Sequence, residues 1–171
     1  MKRLAPIAAM SLTVLGIAAP LAFRPRPALL WNATASAPVG LYRIRSGAPI
    51  RLGDWVAVAA PNPLGQMFAA RSYLPLGVPL VKQVAALAPS QVCRSGALVR
   101  VDGAPRAIAR RTDWFARPLP AWRGCHRLGG DEIFVLNPAR DSLDGRYFGP
   151  LPRSAVLGRL TPLVIVKGAR P

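Results

Sequence analysis

Nineteen prolines and fifteen glycines are scattered along a chain of 171 residues, and they constrain its fold more than any other feature. Proline removes a backbone donor and clashes with the preceding helical turn, while glycine gives up the most conformational freedom inside a helix. Long helices are therefore excluded after the first 26 or so residues, and short strands joined by turns remain. Asp54-Trp55-Val56-Ala57-Val58-Ala59 reads as one such strand, bounded by Gly53 and by Pro61-Asn62-Pro63. Ala97–Val101 and Ala104–Ala109 flank Asp102-Gly103, a pair suited to a type I′ turn, and predict a hairpin. Glu132–Leu136 and Leu163–Val166 are two further strands. Leu52-Gly53-Asp54 and Gly129-Gly130-Asp131 resemble each other and each leads into a strand. Arg106–Arg127, rich in Arg, Trp and Pro, reads as an irregular insertion. The expected class is all-β.

The N-terminus is different. Met1-Lys2-Arg3 precedes Leu4–Phe23, 20 residues without a charge, and Arg24-Pro25-Arg26-Pro27 follows. Twenty residues of helix span about 30 Å, the thickness of a bilayer's hydrocarbon core. Residues 1–26 thus read as a membrane anchor. A cleaved secretory signal is the alternative, with Gly16 and Ala18 near a cut that Pro20 disfavours. On either reading residues 27–171 form an exported domain. Export suits Cys93 and Cys125, an even pair that an oxidising compartment joins, stapling an insertion over about 93–125; two buried free thiols are the alternative.

The chain carries 23 Lys+Arg against 7 Asp+Glu, a formal charge of +16, yet 51% of its residues are hydrophobic. That hydrophobic share excludes a disordered polycation. Only Lys2, Lys82 and Lys167 are lysines, the other 20 basic residues being arginine. Lys82 alone lies inside the chain, in Leu80-Val81-Lys82-Gln83-Val84-Ala85-Ala86-Leu87. As a strand this run puts residues 80, 82, 84 and 86 on one face. Burial there would lower the lysine's pKa toward the range of a general base, a service arginine cannot give. The alternative is an edge-strand lysine that faces solvent and blocks aggregation.

Ser36 lies just after the anchor, between small residues and before a proline, so its hydroxyl is sterically open. A serine nucleophile needs a base for its proton and donors for the oxyanion. Lys82 could supply the first, and the Ser36 N–H with the Thr34 hydroxyl the second. Spacing alone carries little weight here, because Ser and Thr pairs are common in loops.

The full pattern is more specific. Asn32-x-Thr34-x-Ser36-x-Pro38-x-Gly40-Leu41-Tyr42 resembles the nucleophile motif of the conjugative transfer signal peptidases, the TraF branch of the type I signal peptidase family. Gly53-Asp54-Trp55-Val56 resembles the strand after that motif, and Leu80–Leu87 the general-base strand. Gly130-Asp131 with Asn137–Pro152 resembles the C-terminal box. The blocks occur in family order over roughly residues 30–160. The resemblance implies a signal-peptidase-like antiparallel β domain behind one N-terminal transmembrane helix. It implies Ser36 as nucleophile, Lys82 as general base and Thr34 as an oxyanion donor beside the Ser36 amide. Ser142 matches a residue that orients the lysine, and Asp144 with Arg146 a charge pair that holds the site. Pro38, and Asn137-Pro138-Ala139-Arg140-Asp141 at the start of the last box, depart from typical signal peptidases and match the TraF branch.

The resemblance further implies a bacterial inner-membrane protein with its catalytic domain facing the periplasm. Its substrates would be pilin-type subunits of a conjugative transfer apparatus, cut after small residues and docked in extended form, in some relatives with cyclisation. Two other functions stay open: a general type I signal peptidase for secreted preproteins, and a non-catalytic, basic, membrane-anchored part of a transfer apparatus. No cofactor, metal or nucleic-acid partner is expected; the partners expected are the exported preprotein or prepilin, membrane lipid and the transfer machinery. His126, the only histidine, sits in the irregular insertion and reads as a loop residue rather than a triad member. Trp31, Trp55, Trp114 and Trp122 read as core or interfacial residues, Trp31 suiting a membrane interface, with contact to lipid or a partner the alternative for Trp114, Phe115 and Trp122.

Overall fold

The computed structural model of the chain describes residues 9–16 and 27–166. Residues 9–16 are helical; the rest of the expected anchor at 1–26 lies outside the described residues. Among those described, no helix is long and apolar enough to cross a membrane.

Two antiparallel sheets hold the remainder. Strands β1 (Leu29–Asn32), β2 (Gly40–Arg45), β3 (Trp55–Val58), β4 (Leu80–Leu87), β9 (Glu132–Leu136), β10 (Leu151–Pro152) and β11 (Val156–Ile165) form the larger sheet, in the order β1-β2-β11-β3-β4-β9-β10. Strands β5 (Gln91–Ser95), β6 (Leu98–Val101), β7 (Ala104–Ile108) and β8 (Gly124–Arg127) form the smaller one, in the order β7-β6-β5-β8. The helices α1 (Leu64–Ala70) and α2 (Gly145–Phe148) are short, as the proline and glycine spacing requires.

Side-chain alternation sorts the core. In β2, Gly40, Tyr42 and Ile44 are buried while Arg43 and Arg45 are exposed. In β3, Val56 and Val58 join a cluster with Val84, Ile133, Val135 and Leu151, and Ala57 joins another with Tyr42, Ile44, Val81 and Leu160. A third cluster welds the sheets together through Ala86, Val92, Val99, Phe134 and Leu136. Gly40 is required by a close approach, because a Cβ there would stand 2.1 Å from the Val164 carbonyl oxygen on β11.

Strand β4 lies between β3 and β9, so Lys82 is on an interior strand. Its edge-strand alternative is thereby overturned. The single face expected for residues 80, 82, 84 and 86 also breaks, because a register shift between Val84 and Ala86 sends Ala86 into the inter-sheet cluster. The two similar Gly-Asp segments lead into β3 and β9, the two strands that flank β4. Asp102 and Gly103 both adopt positive φ, 49° and 80°, and form the turn expected between β6 and β7. The expected strand at 163–166 is the end of a longer one, β11, which carries Pro162 at a register shift.

The insertion read as irregular over Arg106–Arg127 is so only in part. Its ends are strands β7 and β8, and between them stands one isolated bridge, Thr112 with Pro118. Cys93 and Cys125 are register partners on β5 and β8, joined by a disulfide 32 residues apart in sequence. A loop of that length is worth about 3–4 kcal/mol in the chain-entropy model. Replacing both cysteines by serine should lower the unfolding free energy by that much in urea titration. A loss below about 1 kcal/mol would show that the sheet holds β8 unaided.

Candidate active site

Ser36 sits in the turn that joins β1 to β2, closed at its base by the pairing of Asn32 with Gly40. Two buried side chains shape this turn. The Tyr42 hydroxyl, kept protonated by burial, donates to the Pro38 carbonyl at 2.6 Å. The two N–H groups of the Asn32 carboxamide are shared among the carbonyls of Thr34, Ala37 and Pro38, at 2.9, 3.1 and 3.0 Å. Its oxygen accepts the Thr34 N–H at 3.2 Å and the Thr34 hydroxyl at 3.0 Å. Ser36 Oγ stands 3.5 Å from Thr34 Oγ1 and is half-buried.

Lys82 approaches from the other wall, its side chain buried to 3% exposure. Its Nζ donates to Ser142 Oγ at 2.8 Å. Burial pushes the ammonium down from 10.5 to about 8; the Asp144 carboxylate opposes that fall and the Arg146 guanidinium adds to it. Ser36, Thr34, Lys82 and Ser142 line one open cleft of about 440 Å³, with Leu30, Phe68, Leu74 and Leu80 among its apolar walls. No direct hydrogen bond joins Lys82 to Ser36. The geometry can take a proton from a hydroxyl in the cleft once the two groups close up, and such bonds commonly tighten only with substrate bound.

The segment from Asn137 to Arg146 fixes the lysine from behind. Asn137 accepts the Gln83 N–H at 3.0 Å and donates to the Val81 carbonyl at 3.0 Å, bracketing Lys82 on β4 where the pairing to β9 stops. Asp144 caps α2 and accepts from the amides of Asn137 and Arg146 and from two nitrogens of the Arg146 guanidinium. Arg146 also donates to the carbonyls of Arg140 and Asn137 at 2.9 and 2.7 Å. Both members of the pair are almost wholly buried. Gly145 is needed beside them, since a Cβ would meet the Val135 carbonyl at 2.6 Å. The smaller sheet and the loop leading into it brace this segment: Arg94 on β5 donates to the Arg146 carbonyl, and Trp122, before β8, donates to the Gly145 carbonyl at 2.9 Å.

The structure thus gathers Ser36, Thr34, Lys82 and Ser142 at the cleft and sets Asp144 and Arg146 behind it. His126 stands on β8, half-exposed and bonded to Glu132 at 2.7 Å, away from the cleft. Trp114 and Phe115 are exposed, as is Trp31, while Trp122 is packed against Phe134. Asn32, Asn137 and Arg94 have roles that sequence reasoning did not assign. A signal existed for the two asparagines: Asn32 ends a strand and Asn137 directly follows one, where a buried amide can serve backbone groups the ladder leaves open.

The family model described as "Signal peptidase, peptidase S26" matches residues 1–165. A probable conjugal transfer protein TraF of Sinorhizobium fredii (strain NBRC 101917 / NGR234) is 37% identical over 138 residues, covering 74% of this chain and 72% of that protein. A plasmid transfer protein TraF of Escherichia coli is 34% identical over 145 residues, covering 78% and 81%. A solved signal peptidase I from Enterococcus faecalis V583 superposes with a TM-score of 0.39 at 18% identity, covering 68% of this chain and 100% of that one. On the family match and the two TraF relatives, the chain belongs to the signal peptidase family, peptidase S26.

Proposed function

We propose that this peptidase is a serine endopeptidase with Ser36 as nucleophile and Lys82 as general base. One observation carries the reading: a lysine buried on an interior strand, held by Ser142, facing the same cleft as a half-buried serine. Neutral Lys82 takes the Ser36 proton as Oγ attacks the scissile carbonyl. The Ser36 amide and the Thr34 hydroxyl hold the oxyanion, and Lys82 returns the proton to the leaving amine. Water, activated by the same amine, then cleaves the acyl-enzyme. With a pKa of about 8, roughly one lysine in ten is neutral at pH 7, against about one in three thousand at the ordinary value.

The substrate is an exported, pilin-type subunit of a conjugative transfer apparatus. The similarity to TraF proteins of conjugal and plasmid transfer and the apolar cleft support this assignment. Residues 1–26 anchor the chain in the bacterial inner membrane with its domain facing the periplasm. The 20 uncharged residues and the Cys93–Cys125 disulfide, a bond that persists in oxidising compartments, support that placement.

The test is cleavage by the full chain in membranes, with a prepilin and a secretory preprotein as substrates. Cleavage of the prepilin alone is the expected result. Efficient cleavage of both favours a general signal peptidase, and cleavage of neither overturns the enzyme reading. Product mass separates hydrolysis from cyclisation, since a cyclised product holds one water fewer. Because the neutral amine is the active form, the rate should rise with pH through a limb centred near 8 and level off above it. A flat profile from pH 6 to 10 counts against a titrating lysine.

A further inference from the structure

The hydrogen bonds around Asn32 decide where one proton lies. Its carboxamide is buried and makes five contacts, all inside the nucleophile turn or its base. Three carbonyls crowd one side of it, so the amide nitrogen must face them and the oxygen must face Thr34. An amide oxygen only accepts. The Thr34 hydroxyl has one proton, and at 3.0 Å from that oxygen the proton is directed to Asn32. What Thr34 Oγ1 presents to Ser36 Oγ, 3.5 Å away, is a lone pair. In the free protein, then, Thr34 accepts from Ser36 and is not poised to donate toward the cleft.

We infer that Asn32 is a positioning residue that holds the Thr34 proton in the resting enzyme and yields it to the oxyanion during the reaction. This rests on the reading of Ser36 as nucleophile. While Asn32 holds that proton, Thr34 Oγ1 faces the Ser36 O–H as an acceptor, 3.5 Å away. When negative charge develops on the substrate oxygen, that oxygen becomes the stronger acceptor, because charge-assisted hydrogen bonds are roughly twice as strong as neutral ones. The Thr34 hydroxyl then turns from Asn32 to the oxyanion. No covalent bond changes in this step: one hydroxyl exchanges one acceptor for another.

Two measurements test it. The first is the structure of the full chain with a peptide aldehyde bound covalently at Ser36. Thr34 Oγ1 should lie within hydrogen-bond distance of the adduct's oxygen and no longer within reach of Asn32 Oδ1. A Thr34 hydroxyl still bonded to Asn32 in the adduct overturns the inference. If no adduct forms at Ser36, the nucleophile reading falls and this inference falls with it.

The second measurement is kinetic. Thr34 and Pro38 are exposed, so water can serve their carbonyls in an Asn32→Ala variant, while the buried Ala37 carbonyl loses its donor; urea titration of the variant first checks that the domain folds. The variant's kcat should fall about 10- to 100-fold, less than the roughly 10²–10³-fold cost of losing an oxyanion donor outright. KM should stay within about 2-fold of wild type, since the lost bond orients Thr34 in the resting enzyme and is not made to the substrate. The pH limb near 8 should not move, because Lys82 is untouched. In a Thr34→Val background the same Asn32→Ala change should cost less than about 3-fold, since its effect passes through the missing hydroxyl. An equal cost in both backgrounds, or a shifted limb, would mean that Asn32 serves only to hold the turn.

Discussion

A Lys82→Arg variant should lose cleavage by about 10²–10⁴-fold, the usual contribution of a general base, even though the positive charge is kept. The reason lies in what each side chain can release. Lys82 titrates near 8 because burial disfavours its ammonium, and so offers a free amine under working conditions; arginine stays protonated wherever it is placed. Ser36→Ala should be at least as inactive, by removal of the attacking oxygen. Lys82→Met separates this effect from damage to the fold. It fills similar volume without charge, should be equally inactive, and should be more stable than wild type near pH 7. The native state favours the neutral amine, so below pH 8 folding carries the cost of burying or neutralising an ammonium, about 3 kcal/mol for this shift. Loss of the bond to Ser142 offsets part of the gain. Between pH 8 and 10.5 the unfolded chain binds more protons than the native one, so wild-type stability rises with pH and the advantage of Lys82→Met should vanish. Urea titrations at pH 7 and pH 10.5 check the stability claim, and prepilin cleavage checks the activity claim. Wild-type turnover by Lys82→Arg would remove lysine from the mechanism.

The strands that carry this site were legible where local pattern and tertiary place agree. Ile133–Leu136 is a continuous apolar stretch and the run at 80–87 is apolar but for Lys82 and Gln83, as interior strands of a covered sheet should be. The Asp102-Gly103 turn was legible because its two positive φ values admit few residue types. By contrast β2, β5 and β8 are short, arginine-bearing strands, each with a partner far along the chain, as β11 is to β2 and β8 to β5. The burial of Lys82 could not be decided locally, because it depends on β9 lying on the far side of β4. The same holds for the bulge after Val84, which depends on how β9 meets the strand. Asn32 and Asn137 were visible as letters of their motifs, but their work is done on backbone carbonyls and amides, which no side-chain pattern displays. The bracing of α2 by Arg94 and Trp122 was hidden for a simpler reason: the smaller sheet had to be folded before its residues had anything to hold.

The largest effect on stability should come from breaking the Asp144–Arg146 pair one member at a time. Arg146→Met leaves a carboxylate at 0% exposure with two backbone amides as its remaining donors. Asp144→Asn leaves a guanidinium at 2% exposure with only carbonyl oxygens to meet its charge. An uncompensated buried charge costs about 3–5 kcal/mol, a third or more of what domains of this size commonly have. Removing both charges, as Asp144→Asn with Arg146→Met, should recover a good part of that loss, because no lone ion is then left in the interior. Urea titration of wild type, both single variants and the double variant measures the coupling, provided the slopes match. Costs that simply add, or a single variant that loses less than about 1 kcal/mol, would show that the pair is incidental to the fold. Activity should follow a different order. The double variant, though more stable than either single one, loses the Arg146 bonds to the Arg140 and Asn137 carbonyls, which flank the segment that presents Ser142 to Lys82. Recovered stability without recovered turnover would therefore place the contribution of Arg146 in holding that segment against β4 rather than in balancing charge.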